Sequence, residues 1–306
     1  MGILIDADTR VIVQGITGAQ ARFDTESCLS YGTKVVAGVT PGRGGETVHG
    51  IPVFDTVQRA MQGRRVDASV IYVPAGMVRQ AVLEAIEAGI KLLVVTAEYV
   101  PIHDVIEIVG IARKNGVRLV GCNTNGLISP GVGKLGGAGG PHPEQIYTPG
   151  RIGVVSRSGG MMAEIALALS AGGMGVSSSI AMGGDLITGL TMSDYLALFE
   201  EDDGTDAVVL FGEPGTDNET GVAALVAGGG IRKPVIALIA GEFQEKYPAG
   251  VSFGHAAAMI TDNNKSATAK RRMLADAGVR VAAALDDIPE MIRGALGGRG
   301  QTPCGV

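Results

Sequence analysis

A short stretch near the N-terminus decides the fold: Val11-Ile12-Val13-Gln14-Gly15-Ile16-Thr17-Gly18-Ala19-Gln20. An apolar, β-branched run enters a glycine turn, and the residues after the turn suit a helix. The first N–H groups of such a helix, with its partial positive charge, favour a phosphate group. The glycine spacing is GxxG, a near miss to the GxGxxG dinucleotide fingerprint. The stretch predicts a βα unit with an anion-binding turn, and an ordinary βα turn is the plainer alternative.

The same alternation of apolar runs and helical stretches continues along the chain, which predicts βαβ units and parallel sheets. Predicted strands of the first half are Arg10–Val13, Lys34–Val39, Ala68–Val73, Leu92–Thr96 and Arg118–Gly121, with helices over Met77–Ala88 and Ile102–Asn115. Those of the second half are Ile152–Val155, Ser177–Met182, Ala207–Phe211, Val235–Ile239 and Arg280–Ala284. Helices are predicted there over Met162–Ser170, Thr191–Glu200, Glu219–Ala227 and Ser266–Ala277. The fold class is therefore α/β, with two doubly wound domains.

Glycine and proline mark the boundaries between these units. They are dense from Ser129 to Gly150, which predicts a linker over residues 129–150. The first domain is then expected to span residues 1–128 and the second residues 151–296. Residues 297–306 are rich in glycine and are expected to form a disordered tail.

The composition narrows the class of protein. The chain has 306 residues, of which 48 are glycine and none is tryptophan. Its net charge of −6 does not favour binding to nucleic acid or to a membrane surface. Its three cysteines (Cys28, Cys122, Cys304) lie far apart, so neither a disulfide framework nor a metal site is expected. The N-terminus has no signal-peptide pattern. A protein of the reducing cytoplasm is expected.

A lone histidine supplies the candidate chemistry. His255 stands among small residues, after two glycine-rich turns, and this combination indicates group transfer through a covalent histidine intermediate. The second turn, Ser156-Arg157-Ser158-Gly159-Gly160, follows an apolar run and resembles a phosphate nest. Glu213 follows another strand and could accept the Nδ1–H of His255, which would leave Nε2 as the nucleophile. A structural histidine and a surface glutamate remain the plainer alternatives.

Other enzyme classes fit less well. A nicotinamide enzyme usually carries an acid at the end of the second strand, where this chain has Arg43 within Val39-Thr40-Pro41-Gly42-Arg43-Gly44-Gly45. The sequence has no GxxxxGK[ST] motif, so it contains no P-loop.

Taken together, these segments resemble the α subunit of succinyl-CoA synthetase, over the chain to about Leu296. The most specific parts are Gln14–Gln20, Val39–Gly45, Ser156–Gly159, Gly183-Gly184-Asp185, Gly212-Glu213 and Gly254-His255-Ala256. The resemblance implies a Rossmann-like CoA-binding domain followed by a flavodoxin-like ligase domain.

The resemblance also implies roles for individual residues. CoA would contact Thr17, Gly18, Ala19 and Gln20, Arg43 in place of a family lysine, and Thr96, Ala97 and Glu98. His255 would be phosphorylated with support from Glu213, and the phosphate would lie in the turn of Ser156, Arg157, Ser158 and Gly159. A separate β subunit would supply the ATP-grasp domain, Mg²⁺ and ATP or GTP, in an αβ or α2β2 assembly.

Two departures from the family pattern concern the acid substrate. Ala163 stands where the family has a tyrosine, and Asn123 lies in Gly121–Gly126, which differs from the family's Gly-Pro-Asn-Cys-Pro-Gly. The expected function is an NDP-forming ligase that joins a short carboxylate such as succinate to CoA. Malate, sulfoacetate or another short anionic acid stays open as the substrate. A non-catalytic CoA-binding regulatory protein is the alternative from another class, and a nicotinamide dehydrogenase comes after it.

Overall fold

The computed structural model describes residues 2–251, 253–255 and 257–297. The first half forms a seven-stranded sheet of order β3-β4-β2-β1-β5-β6-β7. All neighbours in it are parallel except β3 and β4. Its strands are β1 (Arg10–Gln14), β2 (Lys34–Val39), β3 (Thr47–Val48), β4 (Ile51–Phe54), β5 (Ala68–Ile71), β6 (Leu92–Val95) and β7 (Arg118–Gly121). The helices are α1 (Ala19–Ser30), α2 (Val57–Met61), α3 (Val78–Glu87) and α4 (Ile102–Lys114).

The second half forms another seven-stranded sheet, of order β14-β13-β12-β10-β11-β8-β9. Its strands are β8 (Leu127–Ser129), β9 (Gly133–Leu135), β10 (Pro149–Ser156), β11 (Val176–Ala181), β12 (Ala207–Gly212), β13 (Val235–Ile239) and β14 (Arg280–Ala282). The helices are α5 (Gly159–Ala171), α6 (Met192–Glu201), α7 (Asn218–Ala227), α8 (Ala267–Asp276) and α9 (Ile288–Gly297). The predicted class, two α/β units with largely parallel sheets, is confirmed.

The sheet order places the glycine turns where open α/β sheets hold ligands. β1 lies between β2 and β5, and β10 lies between β11 and β12, so each is the strand at which the order reverses. Ligands bind in the crevice outside the carboxyl ends of such strands. The central strands are buried on both faces, as parallel strands covered by helices must be.

Two short strands, β8 and β9, lie at the start of the predicted linker over residues 129–150. β8 and β9 form an antiparallel pair that adds to the second sheet through β11, and the boundary at residue 128 cuts through β8. Lys134 in β9 is fully buried, and its Nζ donates to Ser27 Oγ at 2.7 Å and to the Gly140 carbonyl at 2.8 Å. The segment is therefore packed structure, because short apolar strands here complete a sheet edge. The remaining domain limits stay a prediction.

The C-terminal end differs from the prediction by one residue. Gly297, predicted to begin the tail, is the last residue of α9, and residues 298–306 of that predicted tail lie outside the described residues. Among the residues that the structure describes, no helix is both long enough and apolar enough to span a bilayer.

Candidate active site

The histidine and the glutamate singled out in the sequence are in contact. Nδ1 of His255 lies 2.8 Å from Oε2 and 3.1 Å from Oε1 of Glu213, which follows β12 directly. With a carboxylate as partner, Nδ1 carries the proton and donates it, so Nε2 is left with its lone pair. The His255 side chain is 31% exposed, which leaves the ring accessible from outside.

Charges around the ring set its protonation. The hydrogen bond that His255 donates to Glu213 raises the pKa of His255 above 6.5, against the opposing effects of burial and of Arg157. Glu98 contributes in the same direction as Glu213. The pair therefore binds a proton more tightly than a free imidazole does, and it also stabilises positive charge on the ring.

The second predicted turn lies beside this pair. Ser156 ends β10, its hydroxyl donates to the Ser158 carbonyl at 2.6 Å, and Ser158 caps α5 by accepting from Met161 N. The first backbone bond of the helix runs from Met162 N to the Ser158 carbonyl, so the N–H groups of the two glycines before it point out of the helix end. These donors suit an anion.

Arg157 is the most unusual side chain of the turn. It is only 1% exposed, and a single nitrogen, Nη2, donates to the Asp185 carbonyl at 2.9 Å. Nε and Nη1 are buried with no partner among the described residues. Burial lowers the pKa of Arg157, although Glu213, Glu219 and Asp185 oppose that effect. Two orphaned cationic donors are costly unless a ligand satisfies them, so this site fits a phosphate group.

Two cavities meet at His255. One, of about 410 Å³, is lined by residues from both predicted sites: Gln20, Thr96, Glu98, Asn123, Arg157, Ser158, Gly159 and His255 are among them. The other, of about 590 Å³, is lined by His255 together with Tyr99, Ile102 and Leu186. The imidazole thus lines both a polar cavity and a more apolar one.

The turn of the first domain is shaped for close approach. Gly15 has φ of +80°, and a Cβ there would lie 3.1 Å from the main chain of Tyr72. Gly18 caps α1 without a side-chain hydrogen bond, so the N–H groups of Ala19 and Gln20 start the helix uncapped. Thr17 lies beside them with its hydroxyl 3.3 Å from that of Thr40. Open N–H groups at a helix start fit a phosphate of CoA.

Other predicted CoA residues follow β2 and β6, at the carboxyl edge of the first sheet. Arg43 is half exposed and paired through both Nε and Nη2 with Glu46. Thr96 donates to the Ile71 carbonyl at 3.0 Å, and the Ala97 carbonyl accepts from Asn123 N at 2.9 Å. Arg43 must therefore leave its partner, or share it, before it can bind a ligand phosphate.

The two predicted substrate residues are placed differently. Asn123 lines both cavities, and its Nδ2 donates to Asp185 Oδ1 at 3.0 Å. Ala163 lies in the first turn and a half of α5, half-buried against the apolar core cluster, and lines neither cavity at His255. The structure thus brings Asn123 to the histidine but not Ala163.

Sequence reasoning missed several polar groups of the site. Asp24 is 4% exposed, and its Oδ2 accepts from Tyr72 OH at 2.9 Å and from Gln20 Nε2 at 3.0 Å on the wall of the polar cavity. Burial raises the pKa of Tyr72 well above 10. Lys270 and Glu219 lie buried behind Glu213. No local motif marks these residues, because Tyr72 lies 48 positions from Asp24 and Lys270 lies 51 positions from Glu219.

Family models match both halves of the chain. One described as CoA binding domain matches residues 6–99, and one described as Succinyl-CoA ligase like flavodoxin domain matches residues 149–294. Together with the fold, these matches define a class: a CoA-binding domain joined to a flavodoxin-like ligase domain.

Full-length relatives narrow this class to a family. The chain is 44% identical to subunit α 1 of an ADP-forming succinate–CoA ligase from Archaeoglobus fulgidus, over 97% of this chain and 99% of the relative. It is 41% identical to subunit SqwL of an ADP-forming sulfoacetate–CoA ligase from Acholeplasma, over 92% and 90% of the two chains. This protein belongs to the family of succinate–CoA ligase α subunits.

A solved structure supports the same assignment. The ATP citrate lyase of Methanothrix soehngenii, in complex with citrate and coenzyme A, superposes with a TM-score of 0.89 at 26% identity. The match covers 97% of this chain and 51% of the lyase, so this chain corresponds to about half of that polypeptide.

Proposed function

We propose that this chain is the α subunit of an NDP-forming acid–CoA ligase that carries a phosphoryl group on Nε2 of His255. The observation that carries the proposal is the contact of His255 with Glu213. His255 also lines a cavity whose wall includes Ser158 and Gly159 of the second turn and Gln20 of the first domain. The family assignment supports the same reaction class.

In the first step, the Nε2 lone pair attacks the terminal phosphorus of a nucleoside triphosphate. The Nε2–P bond forms as the P–O bond to the nucleoside diphosphate breaks. Glu213 holds the Nδ1 proton at 2.8 Å and so stabilises the positive ring that develops. The unpartnered nitrogens of Arg157 and the N–H groups of Gly159 and Gly160 would hold the phosphoryl oxygens.

The next two steps pass the phosphoryl group on. A carboxylate oxygen of the acid attacks the phosphorus, the Nε2–P bond breaks, and the imidazole regains its lone pair. The CoA sulfur then attacks the acyl carbon: the C–S bond of the thioester forms, the C–O bond to phosphate breaks, and inorganic phosphate leaves with the bonding electrons and takes up the thiol proton. Residues 17–20, Arg43 and residues 96–98 would hold CoA so that its thiol reaches the polar cavity.

A partner subunit completes the reaction. The sequence contains no P-loop, so we propose that a β subunit with an ATP-grasp domain binds ATP or GTP and Mg²⁺ and presents the triphosphate to His255. The metal would neutralise the phosphate charges from the partner's side. Within the described residues, no cluster of three or more metal-ligating side chains is found on this chain. The assembly would be αβ or α2β2, in the cytoplasm.

The acid substrate is proposed as a short anionic carboxylate, with succinate first and malate or sulfoacetate as alternatives. Asn123 lines both cavities and gives the site an amide that could hydrogen-bond a polar group of the acid. A CoA-thioester assay over a panel of such acids, run with the co-encoded β chain, identifies the substrate by its kcat/KM. Activity that favours an uncharged long-chain acid would contradict this part of the proposal.

The carrier role is tested directly by labelling. Incubation with the β chain and ATP labelled at its terminal phosphate should give an acid-labile, base-stable phosphate on this chain, and His255→Asn should remain unlabelled. A label retained by His255→Asn would move the carrier to another residue. CoA binding without any phosphoenzyme would instead favour a regulatory CoA-binding protein.

A further inference from the structure

A buried ion pair lies directly behind the carboxylate that contacts His255. Nζ of Lys270, on α8, is 2.6 Å from Oε2 of Glu219, on α7, and the two side chains are only 3% and 2% exposed. Burying a cation and an anion together is expensive, and often no better for stability than an apolar pair. The proposed chemistry does not use either group, so the pair calls for another explanation.

The contacts of Lys270 supply one. Its ammonium also donates to the main-chain carbonyl of Glu213 at 2.5 Å, so one cation joins Glu219 to the residue that contacts His255. Burial lowers the pKa of Lys270, while Glu219 and Asp217 oppose that effect and Arg157 adds to it. A charge-assisted bond to a carbonyl in a dry environment fixes the position of that peptide unit.

Glu219 packs against the main chain one residue earlier. A Cβ added to Gly212 would overlap Oε1 of Glu219. The same Cβ would lie 2.6 Å from Cδ1 of Ile239, so both side chains pack closely on the Gly212 main chain. Gly212 is the last residue of β12 and immediately precedes Glu213. The main chain at Gly212 and Glu213 is therefore held between a carboxylate packed on one residue and an ammonium bonded to the next.

We infer that Lys270 and Glu219 are positioning residues for phosphoryl transfer, because they fix the main chain from which Glu213 reaches Nδ1 of His255. Neither side chain touches the imidazole, and each acts through Glu213. The inference rests on the proposed role of His255 as the phosphoryl carrier. It adds to the histidine–carboxylate pair a buried ion pair, contributed by α7 and α8, that anchors the main chain of Glu213.

The test removes the pair without leaving a lone buried charge. In the double variant Lys270→Met with Glu219→Leu, labelling of His255 from ATP with the β chain should slow by about 10- to 100-fold, as expected for a misplaced catalytic group. NMR titration of the His255 imidazole in the full chain should give a pKa closer to 6.5 than in the wild type. Lys265→Met, which removes the exposed pair with Asp217, is the matched control and should change neither value.

Should the double variant fail to fold, Glu219→Gln provides the second measurement. It keeps the shape of the side chain but weakens the anchor of Lys270. The labelling rate and the pKa of His255 should therefore change in the same direction as in the double variant, but by less. An unchanged titration and labelling rate in a folded variant would overturn the inference. The NMR titration needs no turnover, so a wild-type chain that never labels would count against the proposed function while the titration still decides the positioning role.

Discussion

The imidazole of His255 packs directly against the main chain of Gly184: a Cβ on Gly184 would lie 2.7 Å from Cδ2 and 2.9 Å from Nε2 of the ring. Nε2 is the atom proposed to carry the phosphoryl group. Gly184 has none of the positive φ that favours glycine, so its backbone accepts alanine and the clash falls on the ring. The glycine leaves room for the nucleophile.

Gly184→Ala should therefore reduce phosphorylation of His255 by about 10- to 100-fold, because the ring must turn away from Glu213 or from the phosphate turn. The free energy of unfolding should fall by only about 1 kcal/mol or less, because His255 is a surface-accessible side chain that can move. Label incorporation and urea unfolding measure the two effects.

The control for this variant is Gly110→Ala in α4, where an added Cβ meets nothing within 4 Å. It should raise stability by about 0.5–1 kcal/mol, since alanine is the better helix former, with labelling unchanged. Equal labelling in Gly184→Ala and the wild type would show that the ring does not depend on this space.

Parts of this architecture follow from the sequence, and the reasons are physical. Strands Lys34–Val39, Arg118–Gly121 and Val235–Ile239 are predicted to the residue, because buried parallel strands are unbroken apolar runs. The contact of His255 with Glu213 follows as well, because ligands gather at the carboxyl ends of parallel strands.

Other parts could not be read from the sequence. β3, β4, β8 and β9 have two to four residues each and carry too few side chains to show a period. Lys270 and Glu219 are 51 positions apart on separate helices, and only the packed structure brings them together behind Glu213. Their pairing depends on how α7 and α8 dock, which no local pattern specifies.

The pH dependence of phosphorylation should report the contact between His255 and Glu213. Only the neutral ring has a free Nε2 lone pair, and Glu213 raises the pKa of His255 above 6.5, against Arg157 and with Glu98. The labelling rate should thus rise with pH through a midpoint above 6.5. In Glu213→Gln the midpoint should move down, and the plateau should fall by about 10- to 100-fold.

The pH dependence of stability gives an independent measure of the contact between His255 and Glu213. Because the pKa of His255 is raised on folding, its protonation stabilises the fold fully below pH 6.5, and this contribution is lost as pH rises through the folded-state pKa. Glu213→Gln should therefore lower Tm more at pH 5.5 than at pH 8.5. Glu242→Gln, which loses its pair with Arg271, should change Tm equally at the two pH values. An equal loss of Tm at pH 5.5 and pH 8.5 in Glu213→Gln would contradict the assignment.

Arg157 should confer binding of inorganic phosphate. Its buried Nε and Nη1 lack partners, so an anion that binds them stabilises the native state by mass action. Millimolar phosphate should raise Tm of the wild type but not of Arg157→Met, and Arg157→Lys should recover only part of the effect, because it lacks the planar fork. Arg151→Met, at an exposed pair with Asp206, is the control that should keep the full response. A phosphate response that survives in Arg157→Met would place the anion elsewhere.

Arg43 and Glu46 form an exposed ion pair on the CoA-binding domain. If Arg43 binds a phosphate of CoA, the carboxylate competes for the same guanidinium. Arg43→Ala should weaken CoA binding by about tenfold, whereas Glu46→Gln should strengthen it, because the competitor is removed and the cation remains. Neither change should alter the free energy of unfolding by more than about 1 kcal/mol, since exposed pairs contribute little. Calorimetric titration with CoA at low and high salt measures the CoA affinity of both variants. Arg59→Ala, at the exposed pair with Asp55, is the control. Weaker binding in both variants would mean that the intact pair, and not the free cation, is what CoA needs.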